Sequence, residues 1–330
     1  MPTNTVRRPS HAGSWYKSSK SQLNAELDEW LAAVDPPVVP CLDHKQSENV
    51  TQLPVPGARV IIGPHAGYAY SGPAAAYAYK AWDVSKAKRV FLLGPSHHHY
   101  LRRAALTGCT HYSTPLGDLV IDRETTDELQ QSSKFETMSL SVDEAEHSLE
   151  MHLPYIYKLF SQHVTFGNDS SKFPLLVPIM VGNTSSSTEV ELGKLLAPYL
   201  SDPSTAFVVS SDFCHWGLRF DYTYYRPSSG KTQNLTSSSH KPIDPPIHES
   251  IKAVDEECME ACESGKLSKW VDVLKDTGNT VCGRHPISVI MAAMETLQSG
   301  TFRFVRYERS SEVSSVRDSS VSYASAFAVV

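Results

Sequence analysis

Several short stretches of this chain carry residues whose type and spacing suit chemistry. His65 and His97 each follow an apolar run and a Gly-Pro step, in RVIIGPHAGYAYSG and RVFLLGPSHHHY. A third apolar run closes on polar residues in AFVVSSDFCHWG, which adds Asp212, Cys214 and His215. Imidazole binds transition metals and moves protons near neutral pH, and a carboxylate beside it can orient it or share its proton. Further on, VCGRHPISVIMAAMETL sets Cys282 just ahead of an expected helix N-terminus, with Arg284 and His285 beside it. Such surroundings lower a thiol pKa from about 8.5 toward roughly 3.5 to 7.5, and a thiolate is a nucleophile or a metal ligand. His147, Glu150 and His152 lie in DEAEHSLEMHLPYIYKLF. Their HxxExH spacing matches neither HExxH nor HxxEH. Read as one helix, the segment turns the two histidines about 140° apart. Hydrogen bonding around a site, or core packing, is therefore expected of them before joint metal ligation. His11, in HAGSWY, reads as a loop residue.

These residues need elements to bring them together. Val60–Ile62 and Val90–Leu93 are short apolar runs ended by Gly and Pro, as buried strands that stop abruptly would be. Ala74–Trp82 between them has the composition and length of a helix. The resulting strand, helix, strand unit, with its strands parallel, puts His65 and His97 on the same edge of a sheet. That edge is where open α/β sheets bind ligands. Phe207–Val209 is a third strand of the same kind, delivering Asp212 and His215 to it. Leu175–Val181 reads as another strand, as do Ala104–Leu106, Leu119–Ile121 and the closing SVSYASAFAVV. Helices are expected around the stripe Leu23, Leu27, Trp30 and Leu31, from Arg123, over Ser187–Leu200, Ile247–Cys262 and Leu267–Leu274, and after Pro286. Cys258 and Cys262, four apart on one helical face, read as buried small hydrophobes.

The chain has 330 residues, 41% hydrophobic and 20% charged, which suits an ordinary globular core. A net charge of -6 without a basic block argues against nucleic-acid partners. No apolar run reaches the roughly 18 residues a membrane span needs, and MPTNTVRRPSHAGSWY lacks the apolar centre of a secretory signal. The six scattered cysteines form no CxxC pair and no disulfide framework. A reduced, cytoplasmic chain is expected, with the nucleus as a second compartment. Asn49, Asn168, Asn183 and Asn234 open Asn-x-Ser/Thr triplets that count for nothing without secretion. Arg226–Pro246 reads as a mobile loop, with His240 and His248 at the surface.

Taken in order, HAGSWY at His11, PHAGYAYSG at His65, GPSHHH at His97, EHSLEMHLPY at His147, VSSDFCHWG at Asp212, CGRHPI at Cys282 and DSSVSYASA at Asp318 resemble the Memo family, named for a mediator of cell motility. The resemblance covers nearly the whole chain. It implies one domain over 1–330 with loop insertions at 35–57, 167–172 and 228–243. The implied fold is α/β, a central mostly parallel sheet flanked by helices, similar to the class III extradiol non-haem iron dioxygenases.

The resemblance also implies a site. Residues matching His65, His97 and Cys282 hold one metal ion in the family, and those matching Asp212 and His215 line the same pocket. The related dioxygenases use two histidines and a carboxylate for iron. A cysteine in the third position departs from that plan, favours copper(I) or zinc over magnesium or calcium, and is itself open to oxidation. The expectation is copper- or iron-dependent redox activity, as a metal-dependent oxidoreductase, with zinc as another occupant, and a link to motility and cytoskeletal signalling. Asp212, His215 and Cys282 are the candidate catalytic groups. Two kinds of alternative stand beside this. One is another enzyme, a ring-cleaving dioxygenase or a hydrolase using Cys282 with His215 and Asp212, although no GxSxG elbow is present. The other is a binding module whose histidine-lined cleft, when protonated, accepts a phosphotyrosyl peptide of a signalling protein.

Overall fold

A computed structural model of the protein describes residues 5–42, 49–239 and 244–330. His240 lies outside them. Its centre is a large mixed sheet in which Ala58–Gly63, Thr205–Ser210, Arg89–Pro95 and Leu175–Val181 run side by side and parallel. An antiparallel pairing borders this block on each side. Ser320–Val329 pairs with Ala58–Gly63 and with Phe302–Arg309 on one side, and Ala104–Thr107 pairs with Leu175–Val181 on the other. The expected α/β class holds: the four central strands are parallel, and at the outer edge Ala104–Thr107 pairs, again in parallel, with Phe135–Met138.

The strands on either side of helix Tyr68–Ala81 are not neighbours. Thr205–Ser210 is inserted between them, pairing Val60 with Phe207 on one side and Phe91 with Phe207 on the other. All three still point the same way, so the segments after Gly63, Pro95 and Ser210 leave from one edge. Every residue of Ala58–Gly63 and Thr205–Ser210 is buried, which is why these strands read as unbroken apolar runs.

Strand side chains alternate between two cores. Ile61, Val90, Leu92 and Val208 join helices Lys20–Ala32, Tyr68–Ala81 and Leu153–Gln162 on one face. Val60, Ile62, Phe91, Phe207 and Val209 join Ser186–Ser201, Ile247–Glu263, Leu267–Thr277 and Arg284–Leu297 on the other. Leu23, Leu27 and Leu31 form the buried stripe expected of the first helix. Cys258 and Cys262 are fully buried, as small hydrophobes should be.

The acidic-to-apolar segment departs from the single helix its composition suggests. It is three short helices, Leu140–Ala145, His147–Glu150 and Leu153–Gln162. Glu146 is extended, at φ -84 and ψ 129, and breaks the first from the second. His147 and His152 therefore sit on separate turns, and the 140° estimate for a continuous helix does not apply. Around 35–57, Val38 bridges Val50 and the Cys41 N–H donates to the Phe304 carbonyl, so the described parts of this loop lie against the main sheet. Ser170–Lys172 is one 3-10 turn, and Gln233–Asn234 pairs with Tyr224–Tyr225. Burial reaches His248 only in part.

Candidate metal centre

His65, His97 and His147 converge at the edge reached by the parallel strands. Each offers a ring nitrogen, and the three donor atoms lie within 4.8 Å of one another. His65 and His147 are buried, whereas the side chain of His97 is 27% exposed at the mouth. The rings of His97 and His147 stack at 4.4 Å, and His65 meets them edge-on at 5.2 and 5.4 Å. Of the three consecutive histidines it is His97 that enters the cluster; His98 and His99 are exposed.

Hydrogen bonds fix which nitrogens are free. Ser210 Oγ donates to the Ser148 carbonyl at 2.7 Å, so it can only accept from His65 Nδ1, 2.6 Å away. The proton of His65 is thus on Nδ1, and Nε2 presents its lone pair. His97 Nδ1 faces Glu146 Oε1 at 2.8 Å, a carboxylate that accepts, which leaves His97 Nε2 as the donor atom. The buried Nδ1 of His147 has no hydrogen-bond partner. This donor set fits a metal ion such as copper, iron or zinc, all of which take imidazole.

Cys282 sits beside the ligand-side nitrogen of His65. Its Sγ lies 3.1 Å from His65 Nε2 and accepts from the Asp212 N–H at 3.2 Å. Gly283 makes this approach feasible, since a Cβ there would stand 2.3 Å from Ser211 Cβ and 2.4 Å from the Ser210 carbonyl oxygen. The expected lowering of the thiol pKa is not found. Burial, and then the charge of Asp212, push it well above the ordinary value. The cations read as its activators are turned elsewhere: His285 Nδ1 is 2.5 Å from Glu189, and Arg284 Nε donates to His285.

Asp212 is buried, and its Oδ1 accepts the His65 N–H at 2.8 Å. Burial raises its pKa, against the pull of His215 and of the His65 and Ala66 N–H groups. His215 lines the cleft, with Nδ1 on the carbonyls of Phe213 and Thr280 at 2.9 and 3.2 Å. Carbonyls only accept, so Nδ1 carries the proton and Nε2 is the basic nitrogen. Asp212, His215 and Cys282 thus occupy one region but do not form a hydrolase relay, because Cys282 pairs with His65 and His215 does not lean on Asp212.

His147 completes the histidine cluster, where sequence reasoning had expected supporting hydrogen bonds or packing of it. The break at Glu146 turns it to the cleft while His152 goes into the core, its Nδ1 2.7 Å from the Tyr79 hydroxyl and its Nε2 without a partner. No local spacing announces this, since the bonds that hold Glu146 extended reach His97, 49 positions away, and Arg7. His11 belongs to the surroundings rather than a free loop: its N–H and Nδ1 both meet Glu150, at 2.8 and 2.9 Å. Glu150 also accepts from buried Arg7 and from Tyr16, each at 2.8 Å. Burial alone would raise its pKa, yet His11 and Arg7 hold it at about 2.

Burial comes first, and the neighbouring imidazoles second, in pushing His65 far below the ordinary imidazole value; the same causes take His147 to about 3. Both are neutral at pH 7, the form that binds a metal. The cluster opens into a cleft of about 640 Å³ whose walls include Trp15, Tyr70, Arg219, Phe220 and Tyr323. Among the described residues no helix is long and apolar enough to cross a membrane.

Comparison with known proteins agrees with the ordered motifs. The profile of the family described as Memo-like protein matches residues 7–327. Protein MEMO1 of Mus musculus is 45% identical over 96% of this chain and 95% of its own length, and Protein MEMO1 of Homo sapiens is 44% identical over the same shares. A MEMO1 family protein of Schizosaccharomyces pombe is 39% identical over 98% of this chain and 99% of its own. A solved structure of an uncharacterized protein from Escherichia coli K12 covers 72% of this chain and 86% of its own at 13% identity and a TM-score of 0.38, too distant a likeness to bear on the site.

Proposed function

Given that this chain belongs to the Memo-like protein family, we propose that it is a metal-binding protein with copper- or iron-dependent redox activity. The carrying observation is the convergence of three imidazoles, two of them neutral and buried, with Nε2 of His65 and of His97 left unprotonated by the hydrogen bonds at Nδ1. In this reading His65, His97 and Cys282 are the ligands, and His147 is a further donor at the same place. The bound ion would supply one-electron chemistry, and zinc would fill the site without it.

The chain's own residues do the rest. Ser210 and Glu146 hold the two histidine rings in one tautomer each. Asp212 anchors the His65 backbone and sits beside Cys282, so that Cys282 is a thiol until a cation displaces its proton. His215, with Nε2 free, is the group placed to take up or return a proton in the cleft. Membership of the family supports the link to motility and cytoskeletal signalling.

A second reading has one observation in its favour: Arg219 lines the cleft with its guanidinium 4.6 Å over the Phe220 ring, a pairing suited to an anionic aromatic group such as phosphotyrosine. The neutral state of His65 and His147 weighs against it. The test is ascorbate-driven dioxygen consumption by the copper-loaded protein, with Cys282→Ser alongside. Consumption well above that of free copper at equal concentration, reduced at least about tenfold in the variant, is expected. No turnover by the loaded wild type, together with equal phosphotyrosyl-peptide binding by loaded and metal-free protein, would move the assignment to the binding module.

A further inference from the structure

One buried carboxylate touches two of the three converging histidines and is not itself in the cluster. Glu146 is 1% exposed. Its Oε2 accepts the His97 backbone N–H at 2.6 Å, and its Oε1 accepts His97 Nδ1 at 2.8 Å and the Ser148 N–H at 2.9 Å. The same Oε1 lies 3.4 Å from His147 Nδ1. A carboxylate bonded to both the ring and the backbone of one histidine sets the side-chain rotamer as well as the tautomer. The bond to Ser148 meanwhile fixes the turn that carries His147.

Glu146 is in turn held from behind. Its backbone carbonyl accepts from Arg7 Nη2 at 2.8 Å, and the fully buried Arg7 also reaches Asp143 and Glu150. The extended backbone at Glu146 is thereby pinned between an amino-terminal strand and the sheet edge. The clasp joins segments 49 residues apart in the chain.

We propose that Glu146 is the positioning residue of the metal centre: it holds His97 in the Nδ1–H form with Nε2 as the ligand atom, keeps His147 beside it, and so sets how tightly a metal is bound. This deepens the metal-binding reading and rests on it. Carboxylates placed so behind a ligating histidine are worth about 10- to 100-fold in metal affinity.

The test replaces Glu146 by Gln, which keeps the volume but cannot accept from both N–H groups of His97 with two oxygens. Zinc and copper(I) titrations give stoichiometry and Kd, and 1H–15N spectra of the metal-free protein report the tautomer of His97. Binding weakened about 10- to 100-fold at unchanged stoichiometry, with the His97 ring shifting from pure Nδ1–H to a mixture, is the expected result. Glu146→Asp keeps two acceptor oxygens and the charge, so it should retain the Nδ1–H form and lie between the two in affinity. It also stands in should the Gln variant fail to fold. Unchanged affinity and tautomer in a folded Gln variant overturn the proposal. Loss of stoichiometric binding with the His97 tautomer intact overturns it too, by making Glu146 a ligand. A wild type that binds no metal defeats the metal-binding reading and the affinity claim with it, while a tautomer change on substitution still separates that failure from a failure of the clasp itself.

Discussion

At the scale of single residues, the site is made of groups whose burial would be costly without a function or a partner. His152 illustrates the cost away from the centre. It is buried, its Nε2 is unpartnered, and burial takes its pKa down to about 3. In the unfolded chain an imidazole binds a proton near pH 6.5. Between those values the unfolded state holds the extra proton, so His152 leaves stability intact above about pH 6.5 and removes it as the pH falls toward 3. One such group contributes a slope of about 1.4 kcal/mol per pH unit in that window. Glu150 acts with the same sign lower down: held at about 2 against an ordinary 4.5, it stabilises fully above about 4.5 and loses that contribution toward 2. Urea unfolding between pH 7.5 and 5 should therefore show falling stability, and His152→Asn should flatten the decline by about one group's share. An identical slope in the variant would contradict this account of His152.

Among the elements, strand ends and close backbone contacts place the chemistry. Three parallel strands deliver His65, His97 and Asp212 to one edge, and that much was legible, because fully buried strands leave short apolar runs ended by Gly, Pro or Ser. The strand order was not legible: nothing local says that Thr205–Ser210 passes between the other two. The break at Glu146 was hidden for a related reason. Its extended conformation is stabilised by His97 and Arg7, both distant in sequence, so local helix propensity pointed to one long helix. The environment of Cys282 was misjudged, because Arg284 and His285 turn to other partners. Gly94 and Gly283 are the contacts most exposed to test. A Cβ on Gly94 would meet Ser148 Oγ at 2.7 Å and Leu149 Cδ2 at 2.9 Å, pressing on the turn that carries His147. Overpacking of this kind costs about 1–3 kcal/mol. Gly94→Ala and Gly283→Ala should each lower the urea midpoint and weaken metal binding, measured by titration on the folded fraction. Full stability with full affinity in either would show that the close approach is not required.

Over the molecule as a whole, the sheet separates two apolar cores and leaves the histidine cluster at their common edge, opening into one cleft. The family and the α/β class were readable from seven ordered motifs, and the meeting of His65 with His97 from the strand ends, whereas the parts of His147 and Glu146 emerge only once the chain is folded. The central claim is that this edge binds one metal ion. Elemental analysis and anaerobic metal titration of the reduced protein, wild type beside His65→Ala and Cys282→Ser, test it most directly. The account predicts one equivalent of copper or iron in the wild type, lost in His65→Ala and lost or greatly weakened in Cys282→Ser, with all three proteins folded. No metal in the folded wild type, or a full equivalent retained without His65, would contradict it.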